Sequence, residues 1–185
     1  MAIAGKVRWL VSQPAFRSKP AWVVARLAWW WFRSRIPCPA IIRLRPWDLM
    51  LQLPSRWRGV AKLAYAFRER YEPELVILDR LVGPGQVAVD VGASYGIYTC
   101  ILARLVGPTG RVYAFEPAAE AAAVLRRNVE RNGLGWVEVH QLACGHASGS
   151  GVLHHEPDPS RNWLAASGEG GGGSRGTAGR RGGAG

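Results

Sequence analysis

"VAVDVGASYGIYTC", residues 87–100, is the stretch on which the fold turns. Apolar residues alternate with small ones as far as Asp90. Glycines follow at Gly92 and Gly96, and from Ile97 the apolar positions recur at helical spacing. A strand, a tight turn and a helix in immediate succession open a βαβ unit. The pattern then repeats. "GRVYAFEP" (110–117) reads as a second strand, and "AAEAAAVLRRNVERNG" (118–133) as a second helix that opens after Pro117 and stops at Asn132-Gly133. "GWVEVHQLACG" (135–145) is a third strand, and "ASGSGVLHHEP" (147–157) a turn with a further strand. Strands alternating with helices imply parallel, right-handed βαβ units in an open α/β sheet, with 86–91 as a short buried strand.

Upstream, residues 1–36 read as short helices broken near Pro14 and Pro20 and rich in Trp and Arg. "AIIRLRPWDLMLQL" (40–53) alternates apolar and polar residues on both sides of "PWD", the pattern of a β-hairpin. Residues 59–85 read as two helices divided at Pro73, with Val60, Leu63, Ala64 and Phe67 in phase before it and Leu75, Leu78 and Leu81 after it. Beyond Leu164 the chain has no large apolar residue, and its Gly/Arg-rich end reads as a disordered tail. Three segments follow: a basic Trp-rich region of helices and hairpin (1–58), an α/β domain (59–164) and the tail (165–185).

The net charge of +11 is uneven. Residues 1–70 carry 14 Lys/Arg against 2 Asp/Glu, whereas residues 71–160 carry 6 against 10. The glycine-turn region is therefore mildly acidic, and any anionic partner meets the N-terminal third. Seven of the nine Trp residues also precede residue 60, interleaved with Arg, which reads either as a helical cap over the domain or as an interfacial anchor on an anionic membrane. No recognisable nucleic-acid module accompanies these basic residues, so nucleic acid is not expected as a partner. Cys38, Cys100 and Cys144 lie far apart without a CxxC pair, which argues against a zinc site or a disulfide framework and suits a reducing cytoplasm. The longest apolar stretch, Ala21 to Phe32, would span ~18 Å as a helix, short of the ~30 Å of bilayer hydrocarbon. The expectation is a cytoplasmic protein with peripheral membrane contact at most.

Three ligand classes compete for the glycine turn. A nucleoside triphosphate calls for G-x-x-x-x-G-K-[ST], and no Lys follows here. A dinucleotide calls for G-x-G-x-x-G; the spacing here is G-x-x-x-G, and Asp90 puts negative charge where a pyrophosphate would lie. A cationic ligand reverses that objection. S-adenosylmethionine carries a sulfonium and an α-amino group that a carboxylate attracts. Its ribose needs an acceptor, and Glu116 stands at the tip of the second strand, roughly at the ~20-residue offset where the dinucleotide fold places its ribose acid.

Residues 87–134, with "VDVGASYGIYT", "AFEP" and "NVERNGL", and more weakly "LACGHASGSGVLHH" (142–155), resemble the front half of FkbM-type methyltransferases, a class I S-adenosylmethionine-dependent group with the pattern D-V-G-A-N-x-G-x-Y-T, then A-F-E-P and N-x-x-x-N-G. The resemblance implies a Rossmann-like sheet in which Asp90, Gly92, Ala93, Ser94 and Gly96 shape the methionine end. It further implies that Glu116 holds the ribose and that the Ala143 segment edges the adenine. Ser94 departs from the family's usual Asn. The resemblance also supplies the reaction, O-methylation of a small-molecule or sugar hydroxyl, with a small molecule or glycan as acceptor. Family members normally continue with two further core strands, and here the tail intervenes. The sheet is thus expected to be incomplete, from truncation or a shifted reading frame, and the chain poorly active or inactive. The alternative is a non-catalytic remnant that binds a membrane surface or nucleic acid through its N-terminal third. No residue is assigned as a catalytic base. His154 and His155 point to opposite faces of a strand and make no chelating pair, so they read as surface residues. Tyr98 is expected to pack under the sheet.

Overall fold

The computed structural model describes residues 3–54, 59–145, 151–154 and 162–166. Three helices open the chain: α1 (Ile3–Ser12), α2 (Pro14–Ser18) and α3 (Pro20–Arg33). The breaks fall at the two prolines, each at the first turn of the helix it begins, where its missing N–H costs nothing. Ala15 and Val23 from these helices pack with Ala66 and Phe67 of α4 (Val60–Phe67) in a satellite core. Trp30 is fully buried against Tyr65, with ring centroids 4.7 Å apart. Trp9 meets Phe67 at 6.2 Å between ring centroids, while Trp22, Trp29, Trp31 and Phe32 remain exposed, so the helices cap the domain through part of their tryptophans rather than through the whole set.

The hairpin forms as the alternation predicts. β1 (Ala40–Leu44) pairs antiparallel with β2 (Leu49–Leu53), and Ala40, Ile42, Leu44, Leu49, Leu51 and Leu53 all face the core. Between them a 3-10 turn over Arg45–Trp47 ends at Asp48, whose left-handed backbone (φ 47°) suits a short polar side chain. The free edge of β2 is closed by side chains. From α7 (Ala119–Arg131), Asn128 accepts the Gln52 N–H at 2.6 Å and donates to the Gln52 carbonyl at 3.0 Å. Asn132, one turn on, does the same to Met50 at 2.8 and 2.9 Å. Two amides spaced i, i+4 on a helix thus stand in for a third strand and satisfy an edge that would otherwise be open.

Residues 73–81 differ from the expected helix. Pro73–Val76 is a 3-10 turn, and only Leu78–Leu81 (α5) closes one α-turn. Leu75 is buried, but Leu81 is largely exposed, so the three leucines share no buried stripe and nothing selects a longer helix.

β3 (Val87–Val91), β4 (Arg111–Phe115) and β5 (Val137–His140) form a parallel sheet in the order β3-β4-β5, linked by α6 (Ile97–Val106) and α7. This is the parallel α/β sheet that the alternating strands and helices imply. Both crossovers step the same way along the sheet, and with right-handed connections both helices land on one face. That face is dry: Val112 and Ala114 are fully buried against the helices. The opposite face carries Val87, Val89 and Val91 at 66, 59 and 61% exposure. The buried strand expected at 86–91 is therefore an edge strand with one covered face. Its apolar residues, Val87, Ala88, Val89 and Val91, fit two covered faces, as parallel strands usually have, but the described residues cover one.

β6 (Gly151–His154) pairs antiparallel with β7 (Trp163–Ala166) as a separate hairpin. The second of these strands escaped the sequence reading and runs two residues past the boundary drawn at Leu164. The expected tail otherwise lies outside the described residues, as do Trp57 and His155.

Candidate functional site

At the carboxyl ends of β3 and β4, the loop over residues 92–96 turns sharply. Gly92 and Ala93 both donate their N–H groups to the Phe115 carbonyl, at 2.9 and 3.0 Å, which locks the loop to the neighbouring strand. Gly92 and Gly96 have φ of 79° and 84°, and Ser94 lies in the left-handed region at 50°. The two glycines do different work. A Cβ on Gly92 would meet nothing within 4 Å, so its backbone borders open space. A Cβ on Gly96 would lie 2.3 Å from Leu125 Cδ1, so Gly96 is the point where the loop presses on α7.

Glu116 follows β4 directly, and its N–H extends the ladder to the His140 carbonyl at 3.0 Å. Its carboxylate is fixed from two sides. Oε2 accepts the Ser94 N–H at 2.8 Å, and Oε1 accepts the Ala118 N–H at 2.9 Å. At 8% exposure the side chain is nearly enclosed, yet it borders a cleft of about 370 Å³, a size suited to a small molecule. Each oxygen keeps a lone pair beyond its backbone bond and can accept a further hydroxyl.

Four of the seven residues singled out from the sequence line this cleft: Gly92, Ser94, Glu116 and Ala143. The other three stand behind its wall. Ala93 is buried with Ala114 and Leu125. Gly96 caps α6. Asp90, at the end of β3, turns towards α6, and its Oδ2 accepts the Thr99 hydroxyl at 2.5 Å. Burial pushes the Asp90 carboxyl above the usual carboxylate range; its bonds from Thr99 oppose that, and the charge of Glu116 adds to it. The two acids therefore share one electrostatic neighbourhood, but Glu116 alone faces the cleft.

The sequence reading missed several parts of the wall. Leu142 and Cys144 flank Ala143, and their apolar character was a usable signal. Val60, from the start of α4, and Leu153 and Asn162, from the second hairpin, reach the cleft only through tertiary packing, which no local pattern announces. Thr99 was also missed. Two turns of loop and helix separate it from Asp90 in sequence, and only the fold joins them. Tyr98 is half-buried and packs against the main core, with its hydroxyl donating to Glu72 Oε2.

The donor set fits an adenosyl ligand better than a phosphate. An enclosed carboxylate offers acceptors to a diol, a second carboxylate lies behind the wall, and the cleft itself is lined by apolar side chains such as Phe115 and Leu142. Among the described residues no helix is long and apolar enough to cross a membrane.

Residues 90–180 match the profile of the methyltransferase FkbM domain, a family whose methyl donor is S-adenosylmethionine. The match continues through residues 165–180, the stretch read as a tail. Over 74 residues the chain is 49% identical to a protein-L-isoaspartate O-methyltransferase of Aeropyrum pernix, covering 40% of this chain and 27% of that protein. A second protein of that name, from Methanothrix thermoacetophila, is 40% identical over 47 residues, 25% of this chain and 22% of the relative. The chain thus spans about a quarter of the length of these curated relatives. Among solved structures, an S-adenosylmethionine-dependent methyltransferase from Aquifex aeolicus is 32% identical over 40% of this chain and 38% of its own, with a TM-score of 0.34.

Proposed function

We propose that this chain, which carries an FkbM-type methyltransferase domain over residues 90–180, binds S-adenosylmethionine in the cleft at the ends of β3 and β4 and methylates an oxygen of a small-molecule or sugar hydroxyl. One observation carries the reading: the doubly anchored carboxylate of Glu116 borders the cleft that Gly92, Ser94 and Ala143 also line. When bound, the methyl donor supplies an electrophilic methyl group on a sulfonium. The chain's own residues have simpler tasks. Glu116 accepts the ribose hydroxyls, its orientation prepaid by the two backbone N–H groups. Gly92 lets the backbone approach the ligand without a side chain in between. Leu142 and Ala143 offer apolar surface to the adenine. Asp90 contributes negative charge from behind the wall, which favours a cation in the cleft. No base is assigned, and alignment of acceptor with donor carries much of the rate in this reading.

The acceptor class comes from the FkbM family; the named relatives act on an isoaspartyl residue of proteins, also at oxygen. A transfer assay with radiolabelled methyl donor, run on a panel of sugar and small-molecule alcohols beside an isoaspartyl peptide, tests it. Label in the alcohols supports the proposal, and label confined to the peptide replaces the hydroxyl with a carboxylate acceptor.

A second reading is favoured by the exposure of Trp22, Trp29, Trp31 and Phe32 on α3. A helix with that many exposed aromatics among arginines suits an anionic membrane surface, and a non-catalytic peripheral protein would need nothing more. Vesicle binding without any nucleoside binding separates this reading from the first.

A further inference from the structure

A second cavity, of about 510 Å³, opens where α2, α3, the end of α4 and the hairpin turn meet. Lys19, Arg26, Arg43, Arg45, Arg68 and Arg70 line it, against a single carboxylate, Glu69. So many cations around one hollow repel one another, and the fold only partly answers them. Arg43 pairs with Asp48 at 2.5 Å, Arg26 donates to the Ala66 carbonyl at 3.2 Å, and Arg70 donates to the Ser18 hydroxyl at 2.5 Å.

Arg68 is answered only in part, by a hydrogen bond with Tyr65 and by the charge of Glu69. Its guanidinium carbon lies 4.5 Å from the centre of the Tyr65 ring, while its Nη1 is buried and without a hydrogen-bond partner. A buried donor of a charged group left unpaired is costly and rare in folded proteins. Burial, and then the Arg26 charge, hold the Arg68 guanidinium below its ordinary range. The backbone is also unfavourable there: φ is 57° at a residue with a long side chain. Residues 68–70 are thus held, at a cost to the free protein, in a place where three charged side chains converge on one cavity.

We propose that this cavity binds a phosphate-bearing ligand, a phosphomonoester or a diphosphate, with the Arg68 guanidinium completing its hydrogen bonds on the bound oxyanion. A carboxylate offers one charge and two oxygens, too little for this many donors. A phosphate offers up to two charges and three free oxygens, and guanidinium forks match its geometry. The volume leaves room for the group the phosphate is attached to, with Trp22 in the lining to cover its apolar part. This site is independent of the methyl-donor reading. α4 runs from Val60 at the cleft to Phe67 at this cavity, about 12 Å at the standard rise.

The test is calorimetric titration of the full chain with inorganic pyrophosphate, beside sedimentation with vesicles of phosphatidic acid, a phosphomonoester lipid, and of phosphatidylcholine. Lys19 and Arg45 are exposed, so the double variant Lys19→Gln/Arg45→Gln should keep the fold, as checked by circular dichroism. Arg8→Gln/Arg127→Gln removes the same charge elsewhere on the surface. Pyrophosphate is expected to bind, at least tenfold more weakly to Lys19→Gln/Arg45→Gln and with unchanged affinity to the control pair. Pyrophosphate that also displaces the protein from phosphatidic acid vesicles assigns the phosphate to a lipid headgroup. Pyrophosphate binding without vesicle binding assigns it to a soluble ligand. The proposal fails if pyrophosphate does not bind, or if the control pair loses as much affinity as the cavity pair.

Discussion

Ser94 donates its backbone N–H to Oε2 of Glu116 at 2.8 Å, so the loop after β3 and the tip of β4 hold each other in place. The bond explains why a glycine-rich turn and an acid 22 residues further on belong to one site. The turn shapes the cleft and also orients the carboxylate that faces it. Perturbing either partner should therefore be felt at the other.

Gly96→Ala tests the packing beneath the turn. Its Cβ would lie 2.3 Å from Leu125 Cδ1 at a backbone φ of 84°, which combines overpacking with left-handed strain. A loss of about 2–4 kcal/mol in urea denaturation is expected. Leu125→Ala alone should cost about 2–5 kcal/mol through its cavity. The double variant should lose clearly less than the two costs added, because the truncated side chain makes room for the new methyl.

Asn128 is fully buried and bonds Gln52 on both backbone groups, as well as the Tyr95 carbonyl at 2.8 Å. Asn128→Ala leaves those groups without partners and should cost about 2–4 kcal/mol, against about 1 for the more exposed Asn132→Ala. Hydrogen exchange gives the sharper readout. The Gln52 amide should lose protection in Asn128→Ala, and the Met50 amide in Asn132→Ala.

These two asparagines show how legible the fold was. The N-x-x-x-N-G pattern was visible as a family mark, but its purpose, closing the edge of a hairpin some eighty residues away, exists only in the folded chain. Periodicity recovered the hairpin, the first helices and the three parallel strands because each buries a regular face. It failed at 73–81, where in-phase leucines do not share a buried side, and at β3, whose apolar residues promised two covered faces. In the cleft, Gly92 and Glu116 were readable because turn chemistry and strand ends are local features, and Ser94 and Ala143 only through the family resemblance. Val60, Leu153 and Asn162 were not, since they arrive from elements whose docking no local pattern encodes.

The Asp90 carboxyl, raised chiefly by burial, makes a pH-dependent contribution of definite sign. The folded chain holds this proton more tightly than the unfolded one, whose carboxyl titrates near the usual value of about 3.9. Stability from this group is therefore greatest below that value and declines as pH rises through the higher folded pKa. Asp90→Asn should raise the urea midpoint relative to wild type at pH about 8 and lose that advantage at pH about 3. The same variant should weaken binding of a cationic methyl donor more than binding of the neutral S-adenosylhomocysteine thioether.

Val87, Val89 and Val91 form an exposed apolar row along an edge strand, which invites self-association. Analytical ultracentrifugation should show a mass that rises with concentration, and Val89→Lys should reduce that rise while leaving the unfolding free energy within about 1 kcal/mol of wild type. Unchanged association would show that the row is covered in solution.

The most direct measurement is a calorimetric titration of wild type and Glu116→Gln with S-adenosylhomocysteine and with its 2′-deoxyribose analogue. Wild type should bind the ribose form at micromolar concentration and prefer it at least tenfold over the deoxy form. Glu116→Gln should lose at least tenfold in affinity and most of that preference, in keeping with about 1.5–3 kcal/mol for a hydrogen bond to a charged group. Equal affinity of the two proteins for the ribose form, or no binding by either, would contradict the assignment of this cleft.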